Sequence, residues 1–380
     1  MLMLGLLLSQ LMPGLMTETH YEHTRHGIEI LLGVCLAFIM INVGREFEVD
    51  KRNIKSYAKD YLVAMLAAAM PWLLIAMYYI FVLMPSEWWS QGAVWKESLL
   101  LSRFAAPTSA GILFTMLAAI GLQKSWIYKK IQVLAIFDDL DTILLMIPLQ
   151  IAMIGLQWQM GVILFVVFGL LWLGWKKMST YELCQKWWAI LVYAFIIFSI
   201  THLIHVATKH FFGAEDALHI EVLLPAFVFG MVIKREHNDS KSDEGITTAI
   251  SMLFMLLVGM SMPQISASAH VEGGSIMASQ PMPSWGVIAL HVLAVSILSN
   301  VGKLVPMLFY RNHSVRERLA LSIGMFTRGE VGAGVIFIAL GYSIGGAALL
   351  ISVLTLVLNL ILTGGFVLIV KRLALKSYSE

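Results

Sequence analysis

Charge is scarce in this chain. Asp, Glu, Lys and Arg make up 13% of the 380 residues while 59% are hydrophobic, against about 25% charged in a soluble domain. That shortage excludes an ordinary soluble fold and points to lipid as the surrounding medium. The charges that exist nearly cancel, 26 basic against 24 acidic for a net of +2. No basic stripe or acidic tail results, which excludes nucleic acid and other polyanions as partners. Cysteine is scarcer still. Cys35, in an apolar run, and Cys184, in a Lys-rich loop, offer neither a disulfide framework nor metal-ligand spacing. Nothing in the composition calls for a cofactor.

Apolar runs are what the chain has in abundance. A helix needs about 20 apolar residues to cross the hydrocarbon. Twelve candidate spans lie near 2–16, 28–44, 60–84, 98–121, 131–153, 159–175, 187–205, 217–233, 246–265, 286–310, 319–341 and 346–370. The first is short and resembles the apolar core of a signal peptide, but a basic leader and a small-residue cleavage site are missing, so it reads as a helix. The expectation is an all-α polytopic membrane protein with about 12 transmembrane helices, a single transmembrane domain over 1–380 and no soluble domain.

Lys and Arg in short loops stay on the cytoplasmic side, which tests the scheme. Loops that follow odd-numbered spans hold three of the 26 basic residues, and those that follow even-numbered spans, with the C-terminal segment, hold twenty. Both termini are therefore expected to be cytoplasmic. Arg103, Lys303 and Arg328 are left over at membrane depth.

The acids at that depth are Asp138, Asp139, Asp141, Glu221 and Glu330. A charge at a helix centre costs about 2.5–3.5 kcal/mol on insertion scales, so each needs a partner or a function. The densest group is Ala135-Ile136-Phe137-Asp138-Asp139-Leu140-Asp141-Thr142 in span five. Asp138 and Asp139 point to different sectors of the helix, while Asp141 returns to within about 60° of Asp138. Static ion pairs with Arg103, Lys303 and Arg328 are the structural alternative, strongest for Arg328 with Glu330. Adjacency favours function at the Asp138-Asp139 pair, because two neighbouring carboxylates repel and a proton can then exchange with a cation. For Asp141 a second proton site, a residue of an access funnel and a hydrogen-bonded structural acid stay open.

Two spans are broken. Span four reads Ser102-Arg103-Phe104-Ala105-Ala106-Pro107-Thr108-Ser109-Ala110-Gly111, and span eleven reads Gly324-Met325-Phe326-Thr327-Arg328-Gly329-Glu330-Val331-Gly332. Proline removes a backbone bond and clustered glycine loosens a helix. The loop scheme runs the two spans in opposite directions. Opposed, interrupted segments point to an inverted-repeat transporter whose two discontinuous helices cross at the ion site.

With Phe-Asp-Asp-Leu at 137–140, Ala-Ala-Pro-Thr-Ser-Ala at 105–110, Val301-Gly302-Lys303-Leu304, Thr327-Arg328-Gly329-Glu330-Val331 and Asn42-Val43-Gly44-Arg45-Glu46-Phe47-Glu48, the chain resembles the monovalent cation:proton antiporter superfamily. The likeness is closest to bacterial sodium/proton antiporters with a paired aspartate. It implies that Asp139 alternately binds cation and proton, that Asp138 pairs with Lys303 or shares the ion site, and that Thr108 contributes oxygen from the unwound stretch of span four. Ser109, Asp141, Arg328 and Glu330 are supporting candidates. The resemblance further implies Na+ or Li+ and H+ as the ions exchanged, a bacterial inner-membrane location, a homodimer in membrane lipid, and a core subdomain around 98–153 and 286–341 with the other helices as scaffold. Many relatives have thirteen helices and begin outside, whereas this chain reads as twelve beginning inside.

On these grounds the function is secondary active exchange of a monovalent cation for protons by alternating access and competition for Asp139, electrogenic if Asp138 also releases a proton. Potassium/proton antiport or efflux, or sodium-coupled symport of an organic anion, would fit the same fold. An intramembrane aspartyl protease needs two carboxylates about 3 Å apart, usually from separate helices. Neighbours on one helix diverge, and the other apolar spans hold no Gly-x-Gly-Asp stretch.

Overall fold

The structure is a computed structural model that describes residues 1–15, 18–46, 54–109, 117, 125–154, 158–177, 179–212, 222–234, 241–261 and 275–377. These residues form helices α1 Leu2–Leu15, α2 Glu18–Glu46, α3 Ile54–Tyr78, α4 Gly92–Ser102, α5 Trp126–Ile154, α6 Trp158–Lys176 and α7 Trp187–Phe212. They continue with α8 Leu223–Val232, α9 Lys241–Met260, α10 Trp285–Gly302, α11 Val315–Gly324, α12 Glu330–Gly341 and α13 Gly346–Ser377. Among the described residues the fold is all-α, apart from an isolated parallel bridge between Tyr181 and Ile233.

Five stretches, 23–45, 58–83, 187–204, 285–308 and 346–374, are long and apolar enough to cross a membrane unbroken. Of the remaining expected spans, five and six lie within the unbroken helices α5 and α6, while the others are divided by a break or run into residues outside the described set, as the start of span eight, the end of span nine and most of the second half of span four do. α10 shows how a lipid-facing helix is encoded. Leu290, Leu293, Ile297 and Val301 recur on its exposed side, while Ile288, Val292, Val295, Ser296 and Ser299 are buried on the other. That spacing is the 3.6-residue period of a helix with one face in lipid.

The chain divides into two units. In the first, Met1–Asp50 with Ile154–Met262, α2 is the centre. Every residue from Leu36 to Ile41 is buried, as expected of a helix that is apolar all round. α2 packs on α7, α8 and α9, and α1 lies along α9. Its crossing with α8 is set by glycine. A Cβ on Gly44 would lie 2.1 Å from the Phe227 carbonyl oxygen, and one on Gly230 would lie 2.2 Å from that of Ile41. Small residues let backbones approach in lipid, where no hydrophobic drive brings helices together. Beyond the crossing, Arg45 donates to Gln185 Oε1 at 2.6 Å.

The second unit, Lys51–Met153 with Pro263–Glu380, relies on polar joins. Asp60 on α3 accepts from Lys130 of α5 at 2.8 Å and from the Tyr310 hydroxyl at 2.8 Å. Glu97 on α4 accepts the backbone N–H groups of Ile276 and Met277 at 3.1 and 3.0 Å. Ser314 and Glu317 form a capping box that starts α11, satisfying donors left over at a helix N-terminus. Along α13, Ser352, Thr355, Asn359 and Thr363 form a buried polar stripe. Ser352 meets the Tyr79 hydroxyl at 2.6 Å, and Asn359 accepts from Asn300 of α10 at 3.1 Å.

The α2–α8 crossing yields a stability prediction. Gly44→Ala forces a backbone shift and should cost about 1–3 kcal/mol, seen as a lower melting temperature in detergent. Gly27→Ala, on the same helix with nothing within 4 Å of the added carbon, should leave melting unchanged or raise it.

Candidate functional site

Both expected breaks are present, in the second unit. α4 ends at Ser102, a single 3-10 turn covers Arg103–Ala105, and Ala106 to Ser109 leave the helix. α11 stops at Gly324 and α12 starts at Glu330, with 325–329 between them. The two unwound stretches cross: Ser109 N–H donates to the Thr327 carbonyl at 3.1 Å. Gly329 makes the crossing possible, because a Cβ there would sit 2.5 Å from Ser109 Oγ and 2.6 Å from Ser109 Cβ. Backbone groups freed in lipid must find partners inside the protein, and here each break supplies one to the other.

Against this crossing α5 presents its carboxylates. Asp138, Asp139 and Asp141 are 0%, 1% and 3% exposed, so none is reached by bulk solvent. Thr108 Oγ donates to Asp138 Oδ2 at 2.7 Å, and Lys303 Nζ donates to the same oxygen. Lys303 also reaches the Thr108 hydroxyl oxygen at 3.2 Å. The Thr108 hydroxyl lies 3.3 Å from the Met325 carbonyl too, but its single proton serves the shorter contact. Lys303 is the residue on which α10 ends, where a positive charge suits the helix dipole. Asp138 Oδ1 is buried and makes no hydrogen bond among the described residues. Asp139 follows on the next sector of α5, about 100° round the helix.

The remaining charges sort themselves around this centre. Arg328 caps the break: it donates to the Met325 carbonyl at 2.9 Å and to Ser299 Oγ at 2.9 Å and Ser299 O at 3.2 Å. Asp141 is ion-paired with Arg103 at 2.9 Å. Ser109 is in the crossing itself. Glu330 begins α12, but its side chain lies outside the described set, as does Glu221, so the pairing of Glu330 with Arg328 has no geometry here.

The whole length bears on identity. Residues 1–372 match the family described as sodium/hydrogen exchanger, transmembrane. The chain belongs to that family. It is a transporter, a monovalent cation:proton antiporter, and not an enzyme. Among solved structures, the sodium proton antiporter MjNhaP1 from Methanocaldococcus jannaschii at pH 8 aligns with 100% of this chain and 92% of its own, with a TM-score of 0.63 and 14% sequence identity. That likeness is one of fold. No curated protein sequence matches at a comparable level.

For this exchanger the crossing joins residues that sequence reading put together, Thr108, Ser109, Asp138, Lys303 and Arg328, with Asp139 buried beside Asp138 on α5. It adds Ser299 and the Met325 carbonyl, which sequence reading missed. Ser299 was within reach, since it lies four residues before Lys303 and therefore on the same face of α10. The Met325 carbonyl was not, because nothing in a side-chain pattern reveals which backbone group a break sets free. Among the histidines, His291 bonds to the Tyr78 hydroxyl at 2.8 Å and His202 stacks on Phe198.

Removing one partner of a buried ion pair leaves the other uncompensated, at a cost of about 3–5 kcal/mol. Lys303→Met should therefore lower the melting temperature sharply, and Asp138→Asn added to it should restore most of the loss. Equal melting of Lys303→Met and native protein in detergent would contradict the pairing.

Proposed function

We propose that this exchanger swaps sodium or lithium for protons by alternating access, with Asp139 holding either a cation or a proton. The observation that carries the reading is the bonding of Asp138 to both Thr108 and Lys303 at the point where the two breaks cross. Small hard cations take oxygen ligands. Carboxylate, the Thr108 hydroxyl, backbone carbonyls freed by the breaks, and water supply them.

Coupling follows from the cost of charge. An ionised carboxylate is expensive to carry past an apolar barrier, by about 2.5–3.5 kcal/mol at a helix centre. The carrier with Asp139 loaded, by either ion, crosses far more readily than the empty one. Protons and cations then compete for one group, and the two fluxes are linked. Asp138 extends the scheme. Arrival of a cation weakens its hold on Lys303, and the ammonium group can then give up its proton; two protons per cation make exchange electrogenic. Residues around 98–153 and 286–341 form the moving core of this proposal, with the other helices as support and dimer scaffold. The broken helices are halves of inverted repeats, and both termini face the cytoplasm of a bacterial inner membrane.

Reconstitution tests the reading. Native protein under a pH gradient should show proton flux driven by Na+ and Li+ and little by K+, with a rate that responds to a clamped membrane potential. Asp139→Asn should remain folded and lose at least 100-fold in flux, roughly the size of losing a positioned proton-transfer group. Full activity in Asp139→Asn would sink the assignment. A response to K+ equal to that for Na+ would favour potassium/proton antiport on the same site.

A further inference from the structure

Arg103 and Asp141 form a second buried ion pair one turn from Asp138, and the exchange cycle above makes no use of it. Arg103 is the residue on which α4 ends. Its Nη2 donates to Asp141 Oδ2 at 2.9 Å and to the Asp141 backbone carbonyl at 2.7 Å. Both side chains are out of solvent, at 0% and 4% exposure. The guanidinium carbon lies 4.6 Å from the centre of the Trp72 ring, so the face of the cation rests on an aromatic surface of α3, a favourable place for a desolvated arginine. Trp72 in turn donates to the Leu99 carbonyl of α4 at 2.7 Å. Three helices converge on one guanidinium.

Position gives this cluster its meaning. Arg103 stands five residues before Thr108, at the start of the unwound stretch, and Asp141 stands three residues after Asp138 on α5. The pair therefore fastens the same two elements that the Thr108–Asp138 bond joins, one helical turn away. A cation at the end of α4 also offsets the partial negative charge of that helix terminus.

We propose that Arg103 and Asp141 are positioning residues that set cation affinity by holding Thr108 against Asp138, and that neither carries an exchanged ion. Protonating Asp141 would strand a buried guanidinium, which makes it a poor carrier. The inference rests on the exchange reading above.

The test replaces both partners at once. A buried ion pair exchanged for apolar side chains of similar volume usually leaves stability unchanged or improved, so Arg103→Leu with Asp141→Leu should melt at or above the native temperature. Its apparent KM for sodium should rise about tenfold, equivalent to about 1.4 kcal/mol, with maximal rate within about twofold. Arg103→Lys alone, which keeps the charge, should fall between native and double variant and serves as the readout if the double variant does not fold. Affinity is also measured by calorimetric sodium binding to purified protein, independently of transport. A native KM and binding constant in the double variant and in Arg103→Lys overturn the proposal. So does loss of maximal rate at saturating sodium, or a displaced pH profile, because either would make Asp141 an ion carrier. If native protein binds sodium more tightly than the variants yet moves no protons, the exchange reading fails and the positioning inference stands.

Discussion

A helix cannot simply stop in the middle of a bilayer, because the N–H and C=O groups it leaves behind have no water to bond. This exchanger stops two of them there, at 103–109 and 325–329. Each freed end is answered by protein. Ser109 bonds to Thr327 across the crossing, and Arg328 bonds to the carbonyl of Met325. Glycine at 329 lets the backbones meet. Oxygen and positive charge are thereby concentrated where a carboxylate helix passes, and Asp138 and Lys303 meet at that concentration.

The three acids of α5 are not equivalent once their partners are considered. Neutralising Asp141 would leave Arg103 buried alone. Neutralising Asp138 would do the same to Lys303, with one difference: a lysine can release its proton and an arginine cannot. An acid paired with lysine can therefore take part in a cycle of protonation, while an acid paired with arginine is locked as an ion pair. That difference is the reason for proposing a coupling role for Asp138 and a holding role for Asp141. In the proposed cycle Asp139 is the carrier, supported by the resemblance to the paired-aspartate antiporters and by the repulsion of its neighbour.

Much of this was legible before any coordinates. Proline at 107 and the glycines of 324–334 announced the breaks, since few sequences place such residues at the centre of an apolar span beside an arginine. Three basic residues outside the loop count announced the partners of the aspartates. The pairing was less legible. The resemblance suggested Lys303 for Asp138, but the residues by themselves left Arg103, Lys303 and Arg328 as plausible partners for any acid at membrane depth, and only three-dimensional register assigns Arg103 to Asp141. Arg328 takes mostly backbone carbonyls, which sequence patterns do not expose. Span counting was sound for unbroken helices such as α10 and α13, and less direct for span eleven, whose halves α11 and α12 are each too short to cross alone.

Close backbone fit and polar bonds both give cohesion in lipid, and the difference between them bears on what each contact can tolerate. Hydrocarbon removes the usual drive for apolar faces to associate, so helices must be joined by close fit or by polar bonds. The first unit uses fit, with Gly44 and Gly230 bringing α2 and α8 into backbone contact. Such a contact depends on shape at very short range, and an added methyl group disrupts it whatever its polarity. The second unit has such approaches too, as of Gly302 to Pro71 and Gly329 to Ser109, and adds polar bonds through Asp60, Asp138, Asp141 and Asn359. These depend on charge and donor count, so a change of one atom type within the same volume is felt there. A contact held by an exchangeable polar bond can trade one partner for another as an ion binds; a contact held by close backbone fit cannot. The proposed exchange site accordingly lies where the joins between helices are polar.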